Sequence, residues 1–164
     1  MRRLLLVVMT LLLTACGFQL RGAYTLPFDT LHIGLSDTSE LYAQLKRNIE
    51  ATTQTRIVGD AKSAQAILTI TGDVPVKNVL SLSSAGQVRE FELVRTFSFR
   101  VHDPANRDLM PPGRIVIRRD ITYSDAQVLS KESEEALLWR DIQNDLVQQL
   151  LRRLATAKAK AAEE

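Results

Sequence analysis

Between Glu90 and His102 the chain alternates with a period of two. Phe91, Leu93, Phe97, Phe99 and Val101 fall on one face; Glu90, Glu92, Thr96, Ser98, Arg100 and His102 fall on the other. That pattern is an antiparallel strand with one buried and one wet side. Such a strand cannot stand alone, because its backbone needs paired neighbours and its apolar face needs a cover. The fold must therefore supply more strands and at least one amphipathic layer. Arg95 interrupts the apolar face, and a buried guanidinium requires a carboxylate or a ligand to answer it.

The neighbours can be read on either side. Leu31–Leu35 alternates as a short strand. Ala66–Thr71 starts another, disturbed by Gly72 and Pro75 and resumed through Val76, Val79 and Leu80; Pro75 suggests a bulge or an edge position. Ser81–Gly86 has the composition of a hairpin tip. Asp103–Gly113, with Pro104, Pro111, Pro112 and Gly113, reads as a long turn. Arg114–Tyr123 reads as a last strand, with a bulge expected where Arg118, Arg119 and Asp120 break the alternation. Leu41, Leu45 and Ile49 predict a helix over 38–52, opened by the capping-box spacing of Asp37 and Glu40. Trp139, Ile142, Leu146, Leu150 and Leu154 predict a long second helix with Ser130 as its N-cap. The order strand, helix, three strands, helix predicts an α+β two-layer sandwich. Its four-stranded, mostly antiparallel sheet is covered on one face by two helices, and the other face is wetter or available to a partner.

The N-terminus is a different kind of segment. Arg2 and Arg3 precede an apolar run, Leu4–Leu13, about half the length of a membrane-spanning helix. A positive start, short apolar stretch and small-residue exit describe a secretory signal. Leu13-Thr14-Ala15-Cys16-Gly17 is similar to a bacterial lipobox, although an ordinary signal with an incidental cysteine has the same outline. The lipobox reading removes residues 1–15 and makes Cys16 an N-palmitoyl, S-diacylglycerol cysteine. This is the covalent lipid that stands in place of any cofactor. It also explains a single cysteine in an exported chain, where thiols usually pair. Residues 16–30 then read as a lipidated tether, 31–157 as a single domain, and 158–164 as a frayed tail. The whole chain carries 21 Lys+Arg against 19 Asp+Glu. Without Arg2 and Arg3 the balance is neutral, so nothing in the mature charge draws it to nucleic acid.

No catalytic constellation is visible. His32 and His102 are the two imidazoles and belong to separate strands. No Cys/His cluster, glycine-rich phosphate loop or nucleophile elbow is present, and the chain reads as a binding protein rather than an enzyme. The polar residues that stand out are basic: Lys77, Arg89, Arg95, Arg114, Arg118 and Arg119 on or near the strands, and Lys131 in the first turn of the last helix. They are either a solvated face balanced by Glu90 and Glu92, or a strip that receives phosphorylated lipid. Lys131 sits where a helix dipole disfavours a cation, with Glu135 one turn on to offset it.

Cys16-Gly17-Phe18-Gln19-Leu20-Arg21-Gly22 resembles the start of the LptE family of LPS-assembly lipoproteins. Tyr123, Leu129-Ser130-Lys131, Glu134-Glu135, Arg140-Asp141 and Gln149–Leu154 resemble that family's closing strand-to-helix stretch. The resemblance implies an outer-membrane lipoprotein facing the periplasm. It implies a one-to-one complex in which the protein plugs the lumen of an LptD-type β-barrel translocon that inserts lipopolysaccharide. It also implies contact with lipopolysaccharide through basic residues, for which Lys131, Arg89, Arg95, Arg118 and Arg119 are the candidates. A second basic contact belongs to the family's hairpin tip, but here the tip is Ser83-Ser84-Ala85-Gly86-Gln87, and Arg89 is the nearest substitute. The competing expectation is a stand-alone lipid-binding or adaptor lipoprotein, which would need a roomy apolar pocket between sheet and helices.

Overall fold

A computed structural model describes residues 25–124 and 128–157. The signal, Cys16 and the tail after 157 lie outside the described residues. The elements are β1 (Thr30–Gly34), α1 (Glu40–Thr52), β2 (Arg56–Ile57), a single 3-10 turn (Ala61–Ser63), β3 (Ala66–Leu82), β4 (Val88–His102), β5 (Asp108–Thr122) and α2 (Val128–Leu154). They form one mixed sheet in the order β2-β1-β3-β4-β5. β1 runs parallel to both β2 and β3, which α1 makes possible as the crossover. β3, β4 and β5 form an antiparallel meander. The α+β class holds, with five strands where four were expected. The fifth, Arg56–Ile57, is too short to show a period.

The alternation of β4 sets the core. Leu93, Phe97 and Phe99 are fully buried, as are Leu31, Ile33, Leu45, Ile49 and Leu68. α2 lies over β4 and β5 and buries Ile142, Leu146, Val147, Leu150, Leu151 and Leu154. Each such side chain contributes about 1.5–3 kcal/mol by leaving water, against at most about 1 kcal/mol for an exposed ion pair. The sheet–helix core therefore dominates stability. Trp139 is half-buried at its margin and donates its indole N–H to Glu135 at 3.3 Å.

Several local expectations are corrected. α1 begins at Glu40 because Ser39, not Asp37, is the N-cap; its hydroxyl accepts from the Tyr42 amide. α2 is already helical at Val128, so Ser130 lies inside it rather than capping it. The segment 26–30 is not tether. Leu26 and Phe28 join the core, and the Phe28 carbonyl accepts the Thr55 hydroxyl at 2.8 Å. Irregular backbone can bury side chains once its polar groups are met from elsewhere. The long turn over 103–113 shrinks to Asp103–Arg107, and Pro111, Pro112 and Gly113 lie within β5. β5 is an edge strand, where proline costs no ladder bond on its solvent side. The register slips by a residue beside Arg100, where Phe99 faces Gly113 and Val101 faces Met110. No bulge occurs at Arg118–Asp120: the pairing runs unbroken from Glu90↔Thr122 to Phe99↔Gly113.

A real bulge sits in β3, between Ile70 and Gly72. It inverts the strand's faces. Before it, Ala66 and Leu68 point to the helices. After it the odd-numbered residues do, so that Lys77 pairs with Leu93 while Val74 and Val76 pair with Thr96 and Val94 on the open face. The hairpin to β4 closes with Gly86 at φ 77 and the Ser83 hydroxyl accepting from the Ala85 and Gln87 amides.

At Gly113 a methyl group would overlap the ring of fully buried Phe99. The ring lies within the buried core and must shift against its neighbours, so Gly113→Ala is expected to lose about 1–3 kcal/mol in urea unfolding; an unchanged midpoint would refute this packing. In the β4–β5 turn, the Asp103 carboxylate accepts from the Arg107 amide at 2.9 Å and from its guanidinium at 2.8 Å. The amide bond above all, and then the guanidinium, outweigh burial and hold its pKa below the ordinary 3.8. A depressed carboxylate pKa stabilises the fold fully above the unfolded value, and that stabilisation vanishes as pH falls through the folded value. The stability gap between wild type and Asp103→Asn should thus be flat from about pH 7 to 5 and close below about pH 4. A gap that persists unchanged in acid would contradict this.

Candidate functional site

The basic residues do not form one strip. Period-two geometry divides them between the two faces of the sheet. Arg95 and Arg119 share the helix-side rows with Leu93, Phe97 and Ile117. Arg95 is answered by a carboxylate from its own sheet. Its Nε and Nη2 donate to Asp73 at 2.8 and 2.7 Å, and Nη1 donates to Gln143 of α2 at 3.2 Å. Its side chain is 13% exposed, so the fork is committed internally. Arg119 reaches α2 in the same way, with Nη2 3.2 Å from Asp145. Arg114 and Arg118 lie on the open face. Arg118 is 63% exposed and 3.4 Å from Glu92, a solvated cross-strand pair. Glu90 instead accepts from the Ser81 hydroxyl at 2.6 Å.

Two of the five candidates, Arg89 and Lys131, lie toward the hairpin end of the sheet. There the start of β4, the end of β5 and the start of α2 converge. Arg89 is exposed on β4, and its carbonyl accepts the Tyr123 amide at 2.7 Å. Lys131, in the first turn of α2, donates to the Thr122 hydroxyl at 2.9 Å and to Glu134 at 2.8 Å, with 15% of its side chain exposed. Its acidic partner is thus Glu134 rather than Glu135.

Glu135 is taken by Lys77, a residue 58 positions away, at 2.6 Å. The Lys77 ammonium also lies over the Phe91 ring, 4.2 Å from its centroid. Tyr123 packs edge-on against Phe91 at 5.4 Å. Lys77 and Lys131 line one concavity of about 120 Å³, with Glu132 and Glu135 beside them and an apolar wall of Phe91, Ile121, Tyr123 and Val128. Exposed Val79, Leu80 and Leu129 adjoin these residues along the chain. Two ammonium groups beside apolar surface suit an anionic amphiphile. The alternation would place Lys77 here only if the β3 bulge were known, which is why the sequence alone does not pair it with Glu135.

The histidines are occupied by the scaffold. His32 and His102 flank Ile67 in one row of the sheet. His32 Nδ1 donates to the Val58 carbonyl at 3.2 Å. His102 Nδ1 donates to the Asp103 carbonyl at 2.8 Å, leaving Nε2 to accept from Thr69 at 3.0 Å. Among the described residues no group of three or more His, Cys, Asp or Glu could hold a metal, and no helix is long and apolar enough to cross a membrane.

Comparison with known proteins adds an independent line. The family model described as LptE, lipopolysaccharide-assembly, matches residues 28–154, which span every strand and both helices. The LPS-assembly lipoprotein LptE of Yersinia enterocolitica is 30% identical over 161 residues, covering 95% of this chain and 76% of the relative. That of Pectobacterium atrosepticum is 28% identical over 160 residues, covering 93% and 84%. Among solved structures, lipoprotein B of Nitrosomonas europaea superposes with a TM-score of 0.74 at 37% identity, over 85% of this chain and 90% of that one. The rare lipoprotein B of Shewanella oneidensis gives 0.66 at 26% identity, over 77% and 94%.

The internal role of Arg95 has a direct check. An ammonium cannot reproduce the two-pronged bond to Asp73 together with the bond to Gln143. Arg95→Lys should therefore cost about 1–2 kcal/mol in denaturant unfolding. A variant as stable as wild type would show that the guanidinium is not tied to the fold.

Proposed function

This chain belongs to the LptE lipopolysaccharide-assembly family, and on that premise we propose that it is the lipoprotein subunit of an outer-membrane lipopolysaccharide translocon. In this reading Cys16 carries the diacylglycerol and the N-palmitoyl group, and the domain faces the periplasm. It sits in the lumen of an LptD-type β-barrel as a one-to-one partner. The protein binds and guides lipopolysaccharide, and no bond is made or broken.

The observation that carries the reading is that the family match at residues 28–154 runs unbroken through every strand and both helices of the described fold. The architecture agrees with the role. One sheet face is closed by two helices, while the other presents Val74, Val76, Val116, Arg114 and Arg118 to its surroundings. A mature chain without net charge can enter a polar lumen without a large self-field. Several acyl chains on one cysteine hold a protein stably at a membrane, whereas one holds it weakly.

Of the five candidate contacts, Lys131 and Arg89 are best placed to meet lipopolysaccharide, because they stand at one end of the sheet beside exposed apolar residues. Arg95 and Arg119 serve the sheet–helix packing, and Arg118 serves the open face. A stand-alone lipid carrier is the weaker reading. The space between sheet and helices is filled by Phe97, Phe99, Ile115, Ile142 and Leu146, each at most 1% exposed. A wider cavity of about 640 Å³ lies elsewhere, between the segment before β1 and the end of α1, where Leu26, Phe28 and Ala51 alternate with Thr25, Asp29 and Glu50; it is not the apolar pocket between sheet and helices that a carrier of this architecture would need.

The test is native purification with two arms. Tagged protein drawn from outer membranes should bring down a large β-barrel at one-to-one stoichiometry, and recovery of free lipoprotein alone would overturn the reading. Lys131→Asp should keep the barrel yet retain about tenfold less lipopolysaccharide at physiological salt, the loss expected for one charge-assisted contact. Equal retention would remove Lys131 from the binding surface.

A further inference from the structure

We propose that Lys77 is the second cation of the lipopolysaccharide-binding concavity, and that Glu135 is a built-in competitor which holds Lys77 until a phosphate group displaces it. The inference rests on the reading above and adds to it a second cation and a means of release.

The hairpin tip has no basic side chain between Ser83 and Gln87. Beside Lys131, a second ammonium group is brought into the concavity by the β3 bulge. By inverting the strand, it turns Lys77 to the helix side, into the concavity that Lys131 also lines. Lys77 is one-third exposed, and Glu135 is 23% exposed, so the pair lies at the mouth, where an incoming anion can approach it. The Phe91 ring keeps the ammonium in place beneath the exchange, since it holds the cation from the apolar side at 4.2 Å while Glu135 holds it from α2.

Two features identify the ligand's chemistry. Paired ammonium groups match a phosphate monoester or diphosphate as point charges. The wall of Phe91, Ile121, Tyr123 and Val128, with exposed Leu129 and Leu80 nearby, matches hydrocarbon joined to that phosphate. A free anion would gain nothing from the apolar wall. Each cation is already partnered by a carboxylate, Lys131 by Glu134 and Lys77 by Glu135. Binding therefore exchanges one ion pair for another, so its net gain is small. A conduit needs that property, because a ligand held too tightly is not passed on.

The proposal makes an unusual demand: two partners of one salt bridge must act in opposite directions. Lys77→Gln should weaken binding about tenfold, and Glu135→Gln should strengthen it about threefold or more, since the free protein then holds Lys77 without a charged rival. Glutamine retains the carbonyl oxygen that accepts the Trp139 indole N–H, so the helix packing survives the change. The measurement is binding of full-length protein to immobilised lipopolysaccharide in detergent, repeated with dephosphorylated lipopolysaccharide and with inorganic phosphate. Wild type and both variants should bind the dephosphorylated form alike, and inorganic phosphate alone should show no such ordering. Weaker or unchanged binding by Glu135→Gln, or unchanged binding by Lys77→Gln, would overturn the exchange while leaving lipopolysaccharide binding itself intact. The same ordering with inorganic phosphate alone would overturn the amphiphile assignment. A wild-type protein that ignores lipopolysaccharide would defeat the underlying reading as well.

Discussion

Helix α2 rests on β4 and β5 through two kinds of contact that depend on each other. Apolar rows from Leu93, Phe97, Ile115 and Ile117 meet Ile142, Leu146 and Leu150 and supply most of the free energy. That contact is greasy and non-directional, so by itself it would tolerate sliding of the helix along the sheet. Arg95 and Arg119, each set into an apolar row, remove this freedom. Their bonds to Gln143 and Asp145 are directional, and the two recipients are separated by less than one helical turn. The arginines thus fix which residues of α2 lie over which strand. This placement brings Lys131 to the end of β5 and Glu135 to Lys77.

How far these features could be read from the chain depended on their range. The alternation of Phe91–Val101 reports a local condition, one wet and one dry face, and the strand lies where it predicts. The stripes of both helices are equally local. The demand for a partner to Arg95 was legible as a demand, because burying a guanidinium has a known cost; that the partner is Asp73 required the sheet register. The alternation that Arg118, Arg119 and Asp120 look as if they break is in fact continuous, because Arg119 is an inward residue answered by Asp145 of α2.

The remaining differences share a cause. Pro111, Pro112 and Gly113 look like a turn, yet an edge strand has a side that needs no donors, and Phe99 lays its ring over Gly113. Arg56–Ile57 is too short to carry a period. The β3 bulge has no sequence mark beyond Gly72 and Pro75, and everything beyond it changes face. Lys77 was visible as one basic residue among several, whereas its partnership with Glu135 depends on that inversion and on the seating of α2. Cation placement in this protein is decided by long-range packing, which is why the basic residues read alike in the sequence and divide so sharply in space.

The parallel pairing of β1 with the start of β3 has a geometric corollary. Thr30 and Leu31 lie beside the first residues of β3 and against Arg56 and Ala66, at the pole of the sheet remote from the hairpin. From Ala66 to Lys77 the strand rises by about 35 Å at roughly 3.3 Å per residue. The end of the sheet where β1 begins and the concavity that holds Lys77 and Lys131 are therefore separated by most of the length of β3. A body gripped at the β1 end would act as a standoff, presenting those two lysines to the far side of whatever holds it.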